Sequence, residues 1–122
     1  MQVDGKSAVE RRIAGAFKAA ADATGTSFDY LLKTSQRESD HRPDLAATGS
    51  SAAGLFQFVD QTWLEMIRRE GASVGLERLA EKITPDGKGG WTVADPADRA
   101  KIMSLKTDPL VSAVMAAKFT QE

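Results

Sequence analysis

A chain of 122 residues, 42% hydrophobic and 27% charged, has the make-up of one small globular domain able to bury its own core. Its formal net charge of −1 offers no basic excess to displace counterions from phosphates, so no nucleic-acid partner is expected. The absence of cysteine excludes a disulfide framework, a thiolate zinc site and a cysteine nucleophile.

The first helix is expected from Ser7 and Glu10, which have capping-box spacing, and from Val9, Ile13, Ala16, Phe17 and Ala20 at helical intervals. Thr24-Gly25-Thr26 breaks it. Ser27 then caps a second helix, with Phe28, Leu31, Leu32 and Ser35 on one face, running to about Ser39. Asp40 to Ser51, with Pro43 and Gly49, reads as a loop. After a short apolar piece, Ala52 to Val59, Asp60 is placed as the cap of a third helix through Trp63, Met66 and Ile67 to Gly71. Val74 to Ile83 suggests another short helix. The stretch 84–94, rich in turn residues, predicts a small hairpin or an irregular loop. Asp95-Pro96 and Asp108-Pro109 each join an N-cap to a proline at the first helical position, opening two more helices, the last from Leu110 to about Phe119. The predicted class is all-α or nearly so. No apolar run approaches the roughly 20 residues of a membrane span, and Met1 to Lys6 lacks the apolar stretch of a signal peptide.

Glu38 is the first residue with chemical promise. Steps of four and three residues from Leu31 through Ser35 reach it, so it continues the apolar face of its helix. It also sits at the negative pole of that helix, because Asp40-His41-Arg42-Pro43 cannot go on as helix. Partial burial and the helix end both favour a protonated carboxyl, which suits a general acid. A glutamate in water beside Arg37 and Arg42 is the plainer alternative. The second feature is the string Ser50-Ser51-Ala52-Ala53-Gly54-Leu55-Phe56-Gln57-Phe58. Gly54 lets the backbone approach a partner, while Phe56 and Gln57 offer a ring face and an amide to a sugar bearing an N-acetyl group.

Gln36-Arg37-Glu38-Ser39 followed by Gly54-Leu55-Phe56-Gln57 and Thr62-Trp63 resembles the soluble lytic transglycosylase domain of the lysozyme-like superfamily. The resemblance is strongest from Phe28 to about Trp63. It implies a lysozyme-like helical fold and cleavage of the β-1,4 bond between N-acetylmuramic acid and N-acetylglucosamine in peptidoglycan, with a 1,6-anhydromuramic end. Glu38 is then the acid and base, so that no second carboxylate is needed, in contrast to most glycosidases. Ser39 contacts Glu38 or the sugar, Gln57 contacts substrate, Phe56 forms the cleft floor, and Gly54 and Leu55 shape that wall. The same resemblance implies peptidoglycan strands as partner and a periplasmic or cell-envelope location, with a cell-envelope assembly as a further candidate partner; one histidine and no cysteine give too few ligands for a metal, and no cofactor is expected. A muramidase that hydrolyses the same bond and a non-catalytic peptidoglycan-binding scaffold in a flagellar or secretion assembly are the rival functions.

The chain departs from the family pattern in three small ways and one large one. Phe56 replaces the usual methionine, Ser51 a glycine and Asp60 a proline. The later Ala-Tyr-Asn-Ala-Gly motif is missing, Tyr30 is the only tyrosine, and the chain stops at Glu122, which implies a single domain cut short, with one cleft wall lost. Among the remaining residues, His41 and Asp40 are assigned to a solvated helix end and loop, Trp63 to the core and Trp91 to a cleft lining.

Overall fold

The structure is a computed structural model that describes residues 5–121, with side chains from Ala8 onward. Among the described residues it is an all-α fold with one small hairpin. The elements are α1 (Gly5–Thr24), α2 (Phe28–Ser39), α3 (Asp60–Glu70), α4 (Glu77–Ala80), β1 (Ile83–Pro85), β2 (Trp91–Val93), α5 (Pro96–Ser104) and α6 (Pro109–Thr120), with short 3₁₀ turns at Gly71–Val74 and Leu105–Thr107.

The core gathers around α6. Every residue from Val111 to Ala117 is buried, so this helix is enclosed on all sides rather than laid over a surface. Small side chains, Ala113, Ala116 and Ala117 among them, let α1 pack closely against it through Ile13, Phe17 and Ala20. Leu31 from α2, Leu55 from the following loop, and Trp63, Leu64, Met66 and Ile67 from α3 complete the cluster. Trp63 is fully buried as expected, and its indole N–H donates to the Ile102 carbonyl at 2.8 Å.

The caps at Ser27, Asp95 and Asp108 are as expected, their side chains accepting from the N–H groups of Tyr30, Ala97 and Val111. Other local expectations are corrected. Ser7 lies inside α1, which is already helical at Gly5, so it is not the cap. Val9 and Phe28, placed on buried faces, are exposed. Asp60 is the first residue of α3 and not its cap. Ser51 accepts its N–H at 2.9 Å, and the Asp60 carboxylate turns away to Lys106 and Arg99. The expected helix over Val74 to Ile83 is only the single turn α4, because Gly75 takes a left-handed φ of 76° and Ile83 already belongs to β1.

The 84–94 segment is a hairpin. Ile83, Thr84 and Pro85 face Val93, Thr92 and Trp91 in antiparallel register. The Asp86 carboxylate closes its tip, accepting from the N–H groups of Lys88 (2.7 Å) and Gly90 (2.9 Å). The Lys88 bond first, then the Gly90 bond, holds this carboxyl below its ordinary value, against a smaller opposing effect of burial. A depressed acid contributes stability that is complete above its unfolded value of about 3.9 and lost as pH falls through the folded value. The Lys88 and Gly90 amide shifts, followed by NMR, are therefore expected to change together at a pH below the usual aspartate range, and Asp86→Asn is expected to remove that transition.

Candidate active site

The two sequence motifs are brought together at one cleft. A concavity of about 300 Å³ is lined along α2 by Tyr30, Thr34, Arg37 and Glu38. Its floor is Phe56, Gln57 and Phe58, with Val59 and Thr62 beyond, and its far wall is Ala116, Phe119 and Thr120 of α6. Glu38, Phe56 and Gln57 thus share a surface, although 18 or more positions separate the glutamate from the other two.

The orientation of Glu38 differs from expectation. The buried row of α2 is Leu31, Ser35 and Ser39, spaced by four. At about 100° per residue, Glu38 lies roughly 60° round the helix from Ser35, at the margin of the buried face. It ends a second row, Tyr30-Thr34-Glu38, that faces the cleft. Its side chain is 40% exposed, and its carboxylate lies 3.7 Å from the Arg37 guanidinium. The expected partial burial is therefore replaced by a position on the rim, while the place at the C-terminal end of the helix is as expected.

That helix end is shaped by backbone strain. Asp40 and His41 have φ of 54° and 58°, in the left-handed region that costs most residues energy. The Asp40 N–H donates to Gln36 and the His41 N–H to Ser35, stopping the helix directly after Ser39. The His41 ring nitrogen Nδ1 also lies 3.0 Å from the buried Ser35 hydroxyl, so this histidine is tied to α2 rather than loose in a loop.

The second motif is a four-residue turn. Ala53 and Phe58 exchange backbone hydrogen bonds of 3.2 and 3.1 Å across Gly54-Leu55-Phe56-Gln57. Gly54 has φ of 85°, and a Cβ there would collide with the backbone carbonyl of Lys106. Gln57, at φ 52°, is the third non-glycine residue in the left-handed region. All such residues among those described fall in or beside the two motifs, the placement expected where structure is held against local preference for a purpose.

Each remaining motif residue has a definite position. The Ser39 side chain is only 3% exposed and its hydroxyl donates to the Leu55 carbonyl at 2.8 Å. It also lies 3.2 Å from the Ser35 carbonyl and accepts the Arg42 N–H. With its hydroxyl engaged by these backbone groups, Ser39 pins the second motif to the end of α2. Leu55 is fully buried and supports the floor from beneath. Phe56 is the floor itself, its ring centroid 5.5 Å from that of Phe17. Gln57 lines the cleft, but its amide N–H groups donate to the Leu45 and Gly54 carbonyls at 3.0 and 2.8 Å, which leaves its carbonyl oxygen for a ligand. Trp91 is not at the cleft. It stacks under Arg68, 4.4 Å from the ring centroid, and its backbone is bridged by Gln61.

Sequence reasoning missed two contributions. Tyr30 stands two turns above Glu38 in the same row, a four-residue spacing that was visible in the chain. Its hydroxyl is 3.1 Å from that of Thr120, a bond that, with smaller help from Thr34 and Arg37, holds the phenol below its ordinary value despite some desolvation. Lys106 gave no such signal. It is 3% exposed, and its ammonium donates to the Ser51 carbonyl (2.9 Å) and the Asp60 carboxylate (2.6 Å), clamping the strand before the turn. Lys106→Met leaves the Ser51 carbonyl unpaired and Asp60 with Arg99 alone. Since Asp60 keeps some solvent, the expected loss is about 2–3 kcal/mol, read from denaturant unfolding.

The sequence matches no protein-family model. Among the described residues no group of three or more ligand-type side chains converges as a metal site, and no helix is long and apolar enough to cross a membrane.

Proposed function

We propose that this chain carries the acid/base centre of a peptidoglycan lytic transglycosylase of the cell envelope. The observation that carries this reading is the convergence of Glu38, Phe56 and Gln57 on a single cleft. It joins a proton-transfer group to a ring face and an amide oxygen suited to an N-acetylated sugar. Glu38 protonates the glycosidic oxygen as the β-1,4 bond breaks. It then takes the proton of the muramic 6-hydroxyl, whose oxygen closes the 1,6-anhydro ring, so the carboxyl returns to its starting state without water. A strand seated on the Phe56 floor covers the exposed carboxyl and excludes solvent around it.

The exposure of Glu38 and its pairing with Arg37 favour a second reading, a peptidoglycan-binding scaffold without turnover. Mass spectrometry of the soluble products of purified peptidoglycan separates the possibilities. Anhydro-ended muropeptides that vanish with Glu38→Gln are expected. Reducing ends in their place make the protein a muramidase, and glycan binding with no release by folded protein makes it a scaffold.

A further inference from the structure

Three of the six large apolar side chains left in solvent among the described residues line this cleft, Tyr30, Val59 and Phe119, with Tyr30 41% and Phe119 50% exposed. Neither ring belongs to the buried core, although Phe119 packs T-shaped with Phe58, their ring centroids 6.1 Å apart. Thr120 joins them, since it follows Phe119 on α6 and its hydroxyl is bonded to that of Tyr30. Two half-exposed rings from different helices thus line one cleft, tied through the Thr120 hydroxyl to that of Tyr30. Tyr30 is eight residues from Glu38 on the same row, about 12 Å along the helix axis, or roughly two pyranose units of an extended β-1,4 strand.

We propose that Tyr30 and Phe119, fixed through Thr120, form a sugar-stacking subsite about two sugars from the bond cleaved at Glu38. The inference rests on the glycan-cleaving function put forward above. Aromatic faces bury the apolar C–H face of a pyranose, while its hydroxyls stay in water or reach the polar rim at Thr34 and Arg37. Because the rings are already positioned, little ordering opposes binding. The subsite selects strand length, and Tyr30 and Phe119 are substrate-binding residues that take no part in proton transfer.

The test uses Glu38→Gln protein, to prevent turnover, titrated with β-1,4-linked N-acetylglucosamine oligomers of two and four units. The tetramer is expected to bind about tenfold more tightly than the dimer, and Tyr30→Ala or Phe119→Ala to weaken the tetramer about five- to tenfold while changing the dimer less than about twofold. Tyr30→Phe, which keeps the ring, is expected to retain most of the gain. On peptidoglycan with Glu38 intact, the alanine variants are expected to raise KM and leave kcat near its starting value. Equal affinity for the two oligomers overturns the subsite, as do folded alanine variants that bind the tetramer unchanged or lose both oligomers equally. Length-dependent binding without cleavage sinks the enzymatic role of Glu38 but keeps the subsite. Cleavage without length dependence does the reverse.

Discussion

Glu38→Gln is expected to leave the fold intact and to lower peptidoglycan cleavage by on the order of a thousandfold or more. The substitution keeps size and hydrogen-bonding capacity but cannot give up a proton to a leaving oxygen. Nothing in the packing resists it, because the side chain is on the rim, exposed, and bonded only loosely to Arg37. An exposed ion pair of this kind contributes little to stability, so the melting temperature should move by no more than a degree or two. Loss of activity with an unchanged melting curve is the expected pair of results. A parallel loss of both would assign Glu38 to structure instead.

Gly54→Ala is expected to cost about 3–5 kcal/mol, enough to threaten folding of a small domain. Two penalties add. The left-handed φ of 85° strains any residue with a Cβ, and that Cβ would sit inside contact distance of the Lys106 carbonyl. The obstacle is backbone, held by the Lys106 side chain and the 3₁₀ turn that precedes α6, so it cannot swing aside as a flexible side chain would. Gly49 offers a control: it has φ of 78° with open space around it, and Gly49→Ala should meet only the conformational part, about 1–2 kcal/mol. Denaturant unfolding of the two variants side by side checks the difference. Equal losses would mean that the close approach to Lys106 contributes nothing.

What the sequence made legible was local chemistry. Asp95-Pro96 and Asp108-Pro109 announced their helices because cap and proline act within one turn, while the Gly-rich run after Pro85 left a hairpin and an irregular loop equally open, and the pairing of Ile83–Pro85 with Trp91–Val93 decides for the hairpin. The halt after Ser39 was readable from Pro43 and the polar run before it. Facing was harder. Leu31 and Ser35 fit a face ending at Glu38 or one ending at Ser39, and only packing against the Leu55 backbone selects the second. The role of Ser39 was hidden because its partner is a carbonyl 16 positions away, which no residue type advertises. Asp60 has the composition of a cap, yet its partners Lys106 and Arg99 lie 46 and 39 positions downstream. Trp91 was misplaced because aromatic residues in loops suit both sugar and guanidinium, and Arg68 took it. The part of the cleft formed by Glu38 and the Gly54–Gln57 turn was visible as two linked strings. Its second wall was not, since Phe119 and Thr120 look like the ordinary end of a helix.

The hydroxyl of Ser39 joins the helix bearing Glu38 to the turn bearing Phe56, and Gln121 ties the end of α6 to Thr24 and Thr26 with two bonds of 2.8 Å. The cleft therefore has both jaws bolted to one frame. On the glycan-strand reading proposed above, walls tied in this way sort a strand by its thickness and contour rather than by closing on it. A strand carrying bulky substituents on the side toward α6 should be refused at the entrance instead of being accommodated by opening.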